Sequence, residues 1–133
     1  MASLPDIYIT HDDLGILSGL VQTVLHEGRV VAASRLMDEL YRARIVSPAE
    51  LPANCLTLYA PGRYLKERSG AVRDVTLIPG RSITSRGIIS VLTVVGTHLL
   101  GLTAGQSMSW TDPAGRVRTI RLLAATARQP RAV

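Results

Sequence analysis

Apolar positions in the first third of the chain follow a helical rhythm. Leu14, Leu17, Val21 and Val24 recur at three- and four-residue intervals and predict one face of a helix opening at Thr10. Thr10 suits an N-cap, with Asp13 in the capping-box position, Ile9 and Leu14 placed as a hydrophobic staple, and Asp12 and Asp13 in the turn where the dipole favours negative charge. Gly15 and Gly19 weaken this helix. His26, Glu27, Gly28 and Arg29 form the break, with Gly28 as its turn residue. A second helix, over about 30–44, shows the same spacing at Ala33, Leu36, Leu40 and Ala43. So short a connection predicts a hairpin of two antiparallel helices. Ser47, Pro48 and Glu50 then spell another capping box with proline at its first helical position, so one helical turn follows before Pro52. Ile7 to Ile9 reads as a short extended lead-in.

From Asn54 onward the rhythm changes. Runs at 55–59, 63–68, 72–78, 88–94, 106–111 and 116–126 are rich in β-branched residues and separated by Pro-Gly, Ser-Gly, Pro-Gly-Arg-Ser and Asp-Pro-Ala-Gly turns. Tight turns favour antiparallel pairing. The apolar stretch 96–102 reads as a short helix lying on the sheet, and 129–133 as a loose tail. The expected class is α+β, with a helical hairpin over 1–53 and an antiparallel β domain with one short helix over 54–133.

Composition narrows this picture. The chain has 133 residues, 47% of them hydrophobic, so it can build a core; with one Trp and no Phe, that core must come from Val, Leu, Ile and Ala. A single cysteine, Cys55, excludes an internal disulfide and leaves no Cys-based zinc site; beside a strand start it reads as a small buried hydrophobe. Residues 1–6 lack the pattern of a signal peptide, and no apolar run approaches the roughly 20 residues that span a bilayer, so a cytoplasmic location without membrane contact is expected. The net charge of +5 is unevenly spread. Residues 1–53 carry four arginines against seven acids, whereas 54–133 carry ten arginines and Lys66 against three acids. Such asymmetry suggests two surfaces with different partners, or simply a well-solvated basic domain.

Motifs for catalysis are absent from the sequence. His11, His26 and His98 have no metal-ligand spacing, and there is no Gly-x-Ser-x-Gly elbow, phosphate-binding loop or dinucleotide fingerprint. No enzyme activity, metal, cofactor or small-molecule substrate is expected. Basic clusters at Arg63 and Lys66 and at Arg116, Arg118 and Arg121 are candidate nucleic-acid contacts, although Arg121 does not share the strand parity of Arg116 and Arg118. Self-association through Leu14, Leu17 and Val21 is a further possibility.

The stretch from Ile89-Ser90-Val91-Leu92-Thr93-Val94-Val95-Gly96 through Thr97-His98-Leu99-Leu100-Gly101 to Gly105 resembles the signature of the Gre-type transcription factors, with Trp110, Pro113 and Gly115 similar to the hairpin that follows it. Glu39-Leu40, Arg42-Ala43, the Ser47-Pro48 to Pro52 turn and the closing Gln129-Pro130 resemble more narrowly the Rnk branch, the regulators of nucleoside diphosphate kinase. The likeness runs from about Asp6 to Pro130.

This resemblance implies an FKBP-like C-terminal domain, an N-terminal coiled coil, and docking on RNA polymerase at the rim of its secondary channel. Leu92, Thr93, Val94 and Gly96 are the expected docking loop, supported by His98 in the short helix. The family's Ser-Pro pair appears here as Thr93-Val94, its helix alanine as His98, and its Gly-Asp as Gly105-Gln106. Cleavage-stimulating relatives carry acidic residues at the tip of a long coiled coil. Here the tip, His26, Glu27, Gly28 and Arg29, offers one carboxylate beside a cation, a poor ligand set for a second catalytic Mg²⁺. A regulator that docks without stimulating cleavage is therefore expected.

Overall fold

A computed structural model describes residues 4–80 and 86–126. The expected tail at 129–133, the Gln129-Pro130 match, and Arg81 and Ser82 of one expected turn lie outside the described residues.

The hairpin forms where the periodicity places it. Strand β1 (Tyr8–Thr10) leads into helix α1 (His11–His26), and α2 (Val30–Arg42) leads into β2 (Arg44–Val46). The Thr10 hydroxyl accepts the Asp13 amide at 3.2 Å, the expected N-cap. Leu17, Val21 and Val24 are buried with Ala33 and Leu36, and Leu14, Leu40 and Ala43 pack at the edge of the same core. Three residues join the helices at one end. At the other, β1 and β2 pair in register from Tyr8–Arg44 to Thr10–Val46, which forces the helices to run antiparallel. The second helix ends two residues earlier than its periodicity suggests, because Arg44 turns outward into this pair. A 3₁₀ turn (Pro48–Glu50) follows, where the Glu50 carboxylate accepts the Ser47 amide at 3.1 Å and its hydroxyl at 2.8 Å.

The second half forms one five-stranded sheet in the order β5-β4-β3-β7-β6. Its strands are β3 (Pro61–Lys66), β4 (Ala71–Ile78), β5 (Ile88–Ser90), β6 (Ser107–Thr111) and β7 (Val117–Ala125), with helix α3 (Val94–Leu99) between β5 and β6. The purely antiparallel expectation for this domain is corrected: the sheet is mixed. Strands β4 and β5 pair in parallel from Thr76–Ile88 to Ile78–Ser90, and β1 and β2 are parallel too. Strand β5 lies beside the last three residues of β4 and runs in the same direction, so no tight hairpin links the two.

Two expected strands are shorter than their composition suggests. Over 55–59 only single bridges form, Cys55 to Thr103 and Leu58 to Leu77. This segment divides its backbone bonds between two neighbours, and Tyr59 leaves the extended region at φ 66°. The run at 88–94 stops at Ser90, because Thr93 accepts the Gly96 amide and starts α3.

One buried cluster spans both halves, joining Ile7, Ile9, Leu17 and Leu36 to Leu56, Leu77, Leu99 and Leu122. Polar bonds reinforce it. Arg42 pairs with Glu39 at 2.8 Å, donates to the Pro5 carbonyl and reaches Met108 Sδ at 3.7 Å. The Tyr8 amide donates to the Gly101 carbonyl at 3.1 Å. Cys55 is fully buried, its thiol directed at the Gly101 carbonyl at 3.4 Å, and burial pushes its pKa up to about 12. A thiol so shielded is a core residue, not a nucleophile. Among the described residues, no helix is long and apolar enough to cross a membrane.

Candidate functional site

The segment from Ser90 to His98 is fixed by its own short side chains. The Ser90 hydroxyl donates to the Gly80 carbonyl and accepts the Leu92 amide at 3.0 Å. The Thr93 hydroxyl donates to the Ser90 carbonyl at 2.8 Å and accepts from Gly96 at 3.0 Å, and the Thr97 hydroxyl donates to the Val91 carbonyl. The helix returns so closely over the strand end that a Cβ at Gly96 would overlap the Ser90 carbonyl oxygen. Leu92, 4% exposed, and Gly96 are buried and hold the shape, whereas Thr93, Val94 and His98 are half-buried and can be touched from outside.

Two further groups brace this segment. Arg35, from the middle of α2, donates from Nη2 to the Leu92 carbonyl at 2.8 Å and so ties the hairpin to the loop. Burial lowers the Arg35 pKa, and its Nε is enclosed without an acceptor. Trp110, on β6, stacks on His98 with ring centroids 4.6 Å apart and planes 13° from parallel. His98 Nδ1 lies 2.7 Å from the Val94 carbonyl. A carbonyl only accepts, so Nδ1 carries the hydrogen there.

These residues form one wall of a cleft of about 1100 Å³ between α2, α3, the end of β3 and the β6–β7 turn. Its floor is apolar, with Val94, Val95, Trp110 and Ile120; Arg35, Lys66, Arg68, Arg116 and Arg118 bring positive charge, and Asp38 and Asp112 bring negative. Asp112 is committed to the turn. Its carboxylate accepts the Ala114 and Arg116 amides at 3.0 and 2.9 Å and pairs with Arg118 at 2.9 Å. The Arg116 amide and then the Arg118 guanidinium hold its pKa below the ordinary carboxylate range.

Strand parity divides the candidate basic residues. Tyr64 and Lys66 share the inward face of β3, as Arg118, Ile120 and Leu122 share that of β7, so Lys66 and Arg118 emerge at the cleft where the core ends. Arg116 joins them from the turn. Arg63 and Arg121 lie on the outer face, paired with Asp74 at 3.0 Å and Glu67 at 3.1 Å. The five arginine and lysine candidates therefore do not form one surface. Sequence reasoning missed Arg35, Asp38 and Asp112. Arg35 carried a usable signal: at helical spacing from Glu39 and Arg42, it flanks the apolar stripe and so faces the next layer.

The hairpin tip is constructed differently. Glu27 caps α1, Gly28 takes φ 80°, and the Gly28 and Arg29 amides donate to Leu25 and Val24 carbonyls at 3.0 and 2.8 Å. The His26, Glu27 and Arg29 side chains are exposed.

Comparisons with known proteins agree over most of the chain. Residues 5–46 match the family described as Rnk N-terminus. The chain is 32% identical over 122 residues to the regulator of nucleoside diphosphate kinase of Escherichia coli strain K12, spanning 91% of this chain and 89% of that protein. The Shigella flexneri protein of the same description matches to the same extent. A solved structure, the prokaryotic transcription elongation factor GreA/GreB from Nitrosomonas europaea, is similar with a TM-score of 0.71 at 32% identity, over 92% of this chain and 100% of that one.

Proposed function

The chain belongs to the Rnk family, the regulators of nucleoside diphosphate kinase, and from that premise we propose that it is a Gre-type transcription regulator that binds RNA polymerase at the rim of its secondary channel without stimulating transcript cleavage. The observation that supports this most is the likeness to an elongation-factor structure over the whole of that chain. The docking element is the segment from Leu92 to His98. Its rigid backbone presents Val94 and His98 in a fixed relation, and rigidity lowers the entropy lost on binding. Leu92 and Gly96 act by holding that backbone.

The protein is a binding module and not an enzyme in this reading. Helix α1 has 16 residues, so the hairpin reaches only about 24 Å at the helical rise. At its tip a single carboxylate, Glu27, stands beside Arg29. A second catalytic Mg²⁺ needs several oxygen donors and net negative charge. The hairpin then occupies the channel entrance and excludes longer factors.

A nuclease-treated pull-down tests the docking. The full chain should co-purify with core RNA polymerase, and Val94→Glu should lower recovery by about tenfold or more, the cost expected of a charge buried at an interface. Undiminished recovery by the variant would move the contact elsewhere. Adding the protein to stalled polymerase in physiological Mg²⁺ should release no 3′ fragments above the polymerase's own background; release would overturn the non-cleaving half of the reading.

A further inference from the structure

The cleft holds charge that the fold itself leaves unanswered. Of its cations, Arg118 is answered by Asp112, and Glu67, which follows β3, is taken by Arg121. Lys66, Arg68 and Arg116 are exposed at its margin and form no ion pair among the described residues. Arg35 enters from the opposite wall with only a carbonyl as acceptor. Among the described residues of the cleft, Asp112 is committed to Arg118 and only Asp38 is left to oppose the cations, which remain in excess there. Below them lies an apolar floor with a flat aromatic pair, His98 on Trp110. A cleft of about 1100 Å³ has room for a small ligand, although it stays partly open to solvent. Clustered arginine and lysine favour phosphate oxygens, and a planar aromatic floor favours a stacked ring.

We propose that this cleft is a nucleotide-phosphate site, with Lys66, Arg68 and Arg116 taking the phosphates and the apolar floor beside Trp110 taking the base. Asp38 opposes the negative ligand and confines the phosphates to the β-sheet side, away from α2. The ligand is a free nucleoside polyphosphate or the terminal nucleotide of a nucleic-acid strand, since both present a base beside phosphate. The site needs no polymerase, so its test stands apart from the docking reading. It also differs from a basic surface for duplex binding: Arg63 and Arg121, on the outer face, take no part.

Trp110 is the chain's only tryptophan and sits in the cleft, so its emission reports occupancy directly. The full chain is titrated at low salt with ATP, with tripolyphosphate, and with a short 5′-phosphorylated single-stranded RNA. ATP or the RNA should change the emission saturably below about 1 mM, and tripolyphosphate should bind roughly tenfold more weakly for want of a stacked ring. Saturation by ATP, with displacement of the RNA, identifies the free nucleotide as source; saturation by RNA alone identifies the strand end. The double variant Lys66→Glu, Arg116→Glu should lose about tenfold or more in affinity, while Arg63→Glu, Arg121→Glu stays within about twofold. Both pairs are exposed, and an unchanged melting temperature establishes that each variant folds. No saturable response to ATP or RNA, binding by tripolyphosphate equal to ATP, or equal loss in both double variants would each overturn the proposal.

Discussion

From Ser90 to His98 every short polar side chain closes on nearby backbone, whereas at the hairpin tip the polar side chains face solvent and only backbone bonds shape the turn. The first segment has its conformation specified several times over. The second has it specified once, by Gly28. Over-specified loops suit recognition of a rigid partner, because their shape is set before contact. An open turn tolerates replacement and contributes little fixed surface. The same protein thus keeps a rigid face and a permissive end, and substitutions at each should differ in cost.

The sharpest contrast is between two glycines. Gly96→Ala puts a methyl into the Ser90 carbonyl, which has no space to retreat, and should destabilise by more than about 3 kcal/mol in urea unfolding or prevent folding. Thr93→Ala removes the α3 N-cap and the bond to Ser90 and should cost about 1–2 kcal/mol, with Thr93→Ser recovering most of it. Gly28→Ala meets nothing within 4 Å, so only the left-handed backbone opposes it, a cost of about 1 kcal/mol. Equal losses at Gly96 and Gly28 would break the contrast between the segments.

The smallest effect concerns the β6–β7 turn. Asp112 titrates below its unfolded value, so its contribution is full above the ordinary aspartate pKa, about 3.9, and disappears as pH falls through the lower folded value. An NMR titration should show its carboxyl midpoint below the ordinary aspartate value of about 3.9. The amides of Ala114 and Arg116 should lose protection in the same acidic window. Loss near neutral pH would mean that the carboxylate does not hold the turn.

The sequence exposed those features whose causes are local. Thr10, Gly28 and Ser47-Pro48-Glu50 act within a few residues of themselves, so the hairpin, its turn and the 3₁₀ turn were legible. The β1–β2 pair was not, because Tyr8–Thr10 and Arg44–Val46 are three-residue strands separated by both helices and stabilised only when the hairpin closes. At Thr93-Val94 β-branched residues argued for strand, and the N-cap competed with them silently. The cleft was half legible: strand parity set Arg121 apart from Arg116 and Arg118, but nothing local brings Arg35 on α2 to the Leu92 carbonyl. The segment proposed for docking was visible through family resemblance, whereas the charge facing it required the tertiary arrangement.

Pinning the helical hairpin at its base by the β1–β2 pair has an evolutionary consequence. Whole turns can be inserted or deleted symmetrically at the tip without disturbing register below, each seven-residue step per arm changing the reach by about 10 Å. Reach becomes a heritable dial set by indels near Gly28, while the surface of the β domain is inherited separately. A short stub and a long probe can then diverge from one ancestor without either having to refold.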